Sequence, residues 1–153
     1  MSVIKHKIIE EIALIEISNP PVNAISAAVR VGLLETIENL SLNEKIKAIV
    51  ITAPERTFLA GADIKEFGKK VDAPILGKIC DKIESLNKIV VASLHGTPLG
   101  GGLEVAMSAH YRIATPNTKV GLPEVLLGIL PGAGGTQRPV SYTHLTLPTI
   151  LPV

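Results

Sequence analysis

Lys88-Ile89-Val90-Val91-Ala92-Ser93-Leu94-His95-Gly96-Thr97-Pro98-Leu99-Gly100-Gly101-Gly102-Leu103-Glu104-Val105-Ala106 passes from a β-branched run, through a glycine triplet, into a stretch of helix formers. The apolar run is short and bounded by Gly96, which suits a buried strand over Lys88 to His95. Leu103, Val105, Ala106 and Ala109 favour a short helix beginning just after Gly102. Toward the N-terminus, a helical segment around Ile75 to Leu86 precedes this strand, and Ile46 to Thr52 reads as another buried strand. Before that, Val29, Leu33, Leu34, Ile37 and Leu40 recur at three and four residues behind Ser26, the pattern of an amphipathic helix with an N-cap. Ile12 to Ser18 alternates like a half-buried strand, and Asn19-Pro20-Pro21-Val22-Asn23 breaks it because two prolines cannot donate to a ladder. Strands alternating with helices predict an α/β fold with some parallel strands.

A chain of 153 residues that is 46% hydrophobic fits one core, since domains run to roughly 100 to 200 residues. The formal net charge of +1 supplies no field to gather nucleic acid or an anionic membrane surface. Cys80 is the single cysteine, which excludes an internal disulfide framework and a cysteine-rich zinc cage; it is read as a packing residue, and no metal site is expected. The longest apolar stretches fall well short of the ~18 to 20 residues that span a bilayer. Met1 leads into the alternating run Ile8 to Ile17 without a signal-peptide pattern, so a soluble product is expected. From Pro139 to Val153 no period continues. The string Pro139-Val140-Ser141-Tyr142-Thr143-His144-Leu145-Thr146-Leu147-Pro148-Thr149 is what a sequencing-library transposon adapter encodes in one frame. Residues 139–153 are therefore expected to be non-native, with the domain over 1–138.

Chemistry concentrates after the triplet. Glycines between a strand end and a helix start allow close backbone approach and leave unpaired N–H groups facing a ligand. The helix N-terminus adds about half a positive charge, which favours a developing oxyanion. Glycine triplets also serve as plain turns. No segment fits G-x-x-x-x-G-K-[ST], nor G-x-G-x-x-G with a downstream ribose acid. Glu104, in the first helical turn, has an ordinary reading as a dipole partner contributing about 0.3 to 1 kcal/mol. Glu124 lies in the apolar, proline-bearing stretch Val120-Gly121-Leu122-Pro123-Glu124, where a decorative charge is less expected. Two carboxylates beside one oxyanion site would suit addition or removal of water next to a carbonyl, one as base and one as acid. Spacing alone does not establish that they meet.

Three blocks in order resemble the crotonase, or enoyl-CoA hydratase/isomerase, family: Phe58-Leu59-Ala60-Gly61-Ala62-Asp63-Ile64; His95 to Glu104; and Gly121-Leu122-Pro123-Glu124 with Leu127 to Arg138. The resemblance covers about residues 3–138, including the Asn19-Pro20-Pro21-Val22-Asn23-Ala24 loop. It implies a crotonase fold of repeated ββα units, N-terminal portion only, with C-terminal helices beyond this chain completing the pocket and building trimers. It also implies that the amides of Ala60 and Gly101 form an oxyanion hole for a thioester oxygen. Val22, Ala24, Ala60, Ala62, Asp63, Ile64, Gly100, Gly101, Pro123 and Glu124 would contact the acyl-CoA, with Lys65, Lys69 and Lys70 as candidates for its phosphates.

By the same resemblance, Glu104 and Glu124 hold a water against the β-carbon of a trans-2-enoyl-CoA. Glu104 acts mainly as base and Glu124 delivers a proton to the α-carbon, giving 3-hydroxyacyl-CoA in fatty acid β-oxidation. Relatives that only shift double bonds commonly lack one glutamate, so the pair favours hydratase over the alternatives, a Δ3,Δ2-enoyl-CoA isomerase or a non-catalytic acyl-CoA-binding protein. The Ala109 to Ala114 stretch looks closer to the hydratase half of bifunctional β-oxidation enzymes, with His110 structural. Hydration itself would use no cofactor, CoA being part of the substrate; NAD would enter only through a dehydrogenase half of a parent protein. A homo-oligomer is implied for the full-length family member, not for this segment alone. A bacterial source would place it in the cytoplasm, a eukaryotic one in the peroxisome.

Overall fold

The computed structural model of the chain describes residues 2–70 and 72–139; the expected non-native tail lies, from Val140 onward, outside the described residues. Among the described residues the named elements follow in the order β1 (Ile4–Ile9), β2 (Ile12–Ile17), α1 (Ala27–Leu42), β3 (Ala48–Thr52), α2 (Leu76–Glu84), β4 (Ile89–Leu94), α3 (Gly101–Ser108) and β5 (Tyr111–Ala114). Short 3-10 turns occupy Ile64–Glu66 and Pro123–Leu127. The strands form one sheet in chain order, β1 antiparallel to β2 and β2 through β5 parallel.

Each parallel step crosses over through a helix, and crossovers of one hand in a sheet of sequential order bring their helices to the same face. Burial follows that rule. Ala13, Ile15 and Ile17 of β2, Ile49 and Ile51 of β3, and Val90, Ala92 and Leu94 of β4 share one core with Val29, Leu33 and Ile37 of α1, Ile79 and Ile83 of α2, and Val105 and Ala106 of α3. The alternate residues, such as Leu14, Val50 and Val91, are only half-buried. Strand period two thus sends one set of side chains under the helices and leaves the other set on the far face.

The α1 boundary is chemical. Ser26 has extended backbone, and its side-chain oxygen accepts from Val29 N at 3.5 Å, a cap worth about 1 kcal/mol. The sequence reading differs from the structure in three places. β1 (Ile4–Ile9) was not read as a strand; the chain reverses at Glu10-Glu11 and pairs Ile9 with Ile12. β5 was not expected; it is four residues long at the sheet edge, with Tyr111 and Ile113 exposed, and carries no alternation to read. Helix α3 begins at Gly101, earlier than the residue after Gly102. His110 is structural as read: its Nδ1 accepts from Val90 N at 3.0 Å, tying the start of β5 to β4. Among the described residues no helix is long and apolar enough to cross a membrane.

Cys80 is fully buried in α2, as a packing residue should be. Burial pushes its thiol up to about 12, against the smaller opposing pull of the Arg138 charge and a Ser108 hydrogen bond. A pKa raised by folding means the neutral thiol is favoured in the native state. Its contribution to stability is complete below the unfolded value near 8.5 and is lost as pH climbs from there toward about 12. At pH 8.5 the native thiol should react with iodoacetamide at least about a hundredfold more slowly than in denaturant, because the thiolate is the nucleophile. Equal rates would contradict the burial.

Candidate active site

The site is built where the N-terminus of α3 meets the segment 57–63. Gly102 lies so close to that segment that a Cβ on it would sit 2.1 Å from the carbonyl oxygen of Leu59. Glycine here permits backbone-on-backbone packing that any side chain would forbid. The segment is stitched on its other side to residues 23–25: Ala60 N donates to Asn23 O at 3.2 Å, Ile25 N to Gly61 O at 2.8 Å, and Asp63 N to Ile25 O at 3.4 Å.

This geometry corrects one expectation. The Ala60 amide is not free to meet a ligand, being committed to Asn23 O. Gly61, at φ 109, then turns the backbone in a way a side chain resists. Ile25 and Ala62 form a parallel bridge whose hydrogen bonds run through Gly61 and Asp63, so Ala62 N–H faces away from Ile25. It lies beside Gly101: Ala62 N is 3.8 Å from the point a Gly101 Cβ would occupy. Neither Ala62 N–H nor Gly101 N–H has an acceptor among the described residues. The paired free donors are therefore Ala62 and Gly101, the latter at the N-terminus of α3 where the helix dipole is positive.

Glu104 stands one turn into α3 and is almost wholly buried, 3% exposed. Its Oε1 accepts from Ala133 N at 2.7 Å and Gly135 N at 2.8 Å. Both bonds fall on one oxygen, so the carboxyl is fixed in direction while Oε2 remains for a ligand. The loop that supplies these amides is anchored by Arg138. Its Nη1 donates to Ala133 O, and its Nη2 reaches Asp81 Oδ1 at 3.1 Å and Glu84 Oε2 at 2.9 Å on α2. Burial works against the Arg138 charge, but the Glu84 hydrogen bond and charge outweigh it and hold the guanidinium above its ordinary value.

Glu124 lies in the turn Pro123–Leu127 and is 8% exposed. Its Oε1 is 3.0 Å from where a Gly100 Cβ would be, and its buried Oε2 has no hydrogen-bond partner among the described residues. Leaving a buried acceptor unpaired costs about 1 to 3 kcal/mol, which singles this oxygen out for a role other than stability.

Both acids line one cavity of about 450 Å³ together with Ala62, Asp63 and Gly101. Its apolar walls come from Phe67, Ile75, Leu76, Ile129 and Leu130, and Arg30, Glu66 and Lys69 lie at its polar side. Of the residues expected to touch acyl-CoA, Ala62, Asp63, Gly101 and Glu124 line this space, whereas Val22, Ala24, Ala60, Ile64, Gly100 and Pro123 do not; of the three lysines, Lys69 alone does. Sequence reasoning missed Arg30, which donates to Pro74 O at 2.9 Å and pairs with Glu66 at 2.9 Å. It also missed the amides of Ala133 and Gly135, because a main-chain donor leaves no side-chain signature beyond the glycines around it.

Residues 7–141 match the family described as enoyl-CoA hydratase/isomerase. Over 127 residues the chain is 50% identical to the peroxisomal bifunctional enzyme of Danio rerio, covering 83% of this chain and 18% of that protein. It is 40% identical over 149 residues to a probable enoyl-CoA hydratase of Bacillus subtilis (strain 168), covering 93% and 58%. The solved structure of an enoyl-CoA hydratase subunit I from Geobacillus kaustophilus HTA426 superposes with a TM-score of 0.82 at 35% identity, covering 90% of this chain and 56% of that one. The chain thus spans between about one fifth and three fifths of the length of these relatives.

Proposed function

Because the chain belongs to the enoyl-CoA hydratase/isomerase family and has the crotonase fold, we propose that it is the N-terminal part of an enoyl-CoA hydratase adding water to trans-2-enoyl-CoA thioesters. The observation that carries this reading is the placement of Glu104 and Glu124 on one cavity, beside the free amides of Ala62 and Gly101. In the reaction, Glu104 takes a proton from water as the hydroxyl bonds to the β-carbon. The electron pair of the double bond moves toward the thioester, whose oxygen becomes an oxyanion bound by Ala62 N–H and Gly101 N–H. Each preorganised donor of this kind contributes about 2.7 to 4 kcal/mol to the transition state. Glu124 then gives a proton to the α-carbon, 3-hydroxyacyl-CoA leaves, and the proton taken up by Glu104 returns to Glu124 to restore the starting state. Atoms and electrons balance without a redox cofactor.

The fixed direction of Glu104 supports its role as base, since a base must be held at hydrogen-bond reach of the proton it removes. The orphaned Oε2 of Glu124 supports a group that exchanges a proton with substrate. The exposed apolar strip Val125, Leu126, Leu127 and Leu130 supports a longer parent domain whose remaining helices cover it, as large exposed apolar patches mark an interface. The adapter-like string marks residues 139–153 as foreign to the gene, and NAD would enter only through a dehydrogenase half of the parent. The location follows the source, cytoplasm for a bacterium and peroxisome for a eukaryote.

The test uses the complete coding sequence recovered from the source DNA. Purified protein should hydrate crotonyl-CoA, seen as loss of the enoyl absorbance, and should convert a 3-enoyl-CoA much more slowly. Isomerisation as the faster reaction would make Glu124 a lone proton shuttle, and thioester binding without turnover would make the protein a carrier.

A further inference from the structure

We propose that Asn23 is a positioning residue for the oxyanion hole, holding the Ala62 amide at the angle at which it meets the thioester oxygen. This rests on the hydratase reading above. Asn23 is fully buried and sits at φ 58, in the left-handed region that asparagine tolerates better than most residues. Its Oδ1 accepts from Asn19 N at 2.8 Å and its own N donates to Asn19 O at 2.9 Å, fixing it within the loop after β2. Its Nδ2 reaches three carbonyls: Ile17 O at the end of β2 at 3.2 Å, Thr57 O at 3.4 Å, and Phe58 O. Its main-chain oxygen receives Ala60 N.

One side chain therefore joins the end of β2 to the segment carrying Ala62, and every one of its polar atoms is engaged. With Asn23 gripping residues 57, 58 and 60, and Ile25 gripping Gly61 and Asp63, the Ala62 N–H is the group left unpaired, close to Gly101. Asn23 is not among the residues that line the cavity. Its influence on the reaction runs through the backbone of residues 57–62.

Two variants of the complete protein separate the side chain from the backbone. Asn23→Gly keeps access to the left-handed conformation and the carbonyl that receives Ala60 N, yet removes the Nδ2 donor. Asn23→Asp keeps the shape and the Oδ1 acceptor but offers no donor. Well below their melting temperatures, both should lose about ten- to a hundredfold in kcat with KM within about threefold. Outright loss of an oxyanion donor costs about 10² to 10³, and here the donor is displaced, not removed. The pH profile should keep its wild-type shape, because neither acid is altered. The infrared carbonyl stretch of a bound, isotope-labelled saturated acyl-CoA should be less lowered than in wild type, reporting a weaker N–H contact. Wild-type kcat and carbonyl frequency in folded Asn23→Gly would overturn the proposal. So would failure of both variants to fold, which would make Asn23 a residue of the fold with no separable effect on the site. An inactive wild-type protein would instead sink the hydratase reading.

Discussion

Replacing either Glu104 or Glu124 by glutamine in the complete protein should slow crotonyl-CoA hydration at least about a hundredfold, since acid–base help of this type contributes about 10² to 10⁴. Glutamine is the informative substitution for a geometric reason. Glu104 Oε1 receives two amides, from Ala133 and Gly135, and the oxygen of a glutamine can keep both bonds, so the loop stays in place and the base alone is lost. Alanine would leave both N–H groups buried and unpaired at about 1 to 3 kcal/mol each, confusing collapse of the loop with loss of chemistry. At Glu124, whose Oε2 has no partner among the described residues, glutamine disturbs no protein hydrogen bond. The fall should lie in kcat more than in KM, as expected when an interaction made in the transition state is removed. The double variant should be little worse than the worse single one, because groups that act on one water are not additive. Hydration at near-normal rate in either single variant would remove that residue from the mechanism.

Gly102→Ala should destabilise the fold by about 3 kcal/mol or more, the upper range for overpacking. The added Cβ would lie 2.1 Å from Leu59 O and 2.8 Å from Leu59 C. Those are main-chain atoms of a fully buried residue whose carbonyl also receives Leu99 N at 3.3 Å. No rotamer change relieves such a contact, so α3 must lift from the 57–63 segment and the oxyanion donors separate with it. Gly132→Ala is the control, for nothing lies within 4 Å of its added Cβ, and a change within about 0.5 kcal/mol is expected there. Urea midpoints of the two variants decide the matter. If Gly102→Ala unfolds beside Gly132→Ala, the close approach of the two backbones is not what holds this region together.

Local signals in the chain were enough for the elements that carry their own period or cap. The three- and four-residue spacing of Val29, Leu33, Ile37 and Leu40, with Ser26 before it, marked α1 and its N-cap, and the apolar runs of β2, β3 and β4 marked the parallel core. Glu124 stood out as an acid in an apolar, proline-bearing stretch, Glu104 was marked by the family resemblance, and both prove to be buried on one cavity. Side-chain chemistry and periodicity are written residue by residue, which is why these features could be read without coordinates.

What the tertiary structure alone decided concerns the main chain. Every residue except proline has the same amide, so nothing in Ala60 or Ala62 says which N–H is free. The answer came from Asn23 O capturing one of them and from Gly61 turning the backbone between them. The start of α3 depends on how near Leu59 O comes to Gly102, and the direction of Glu104 on amides 29 and 31 positions further along. β5 exists because β4 offers it an edge to pair with. Hydrogen bonds between backbones distant in sequence are set by where the chain returns in space, and that is a property of the folded whole.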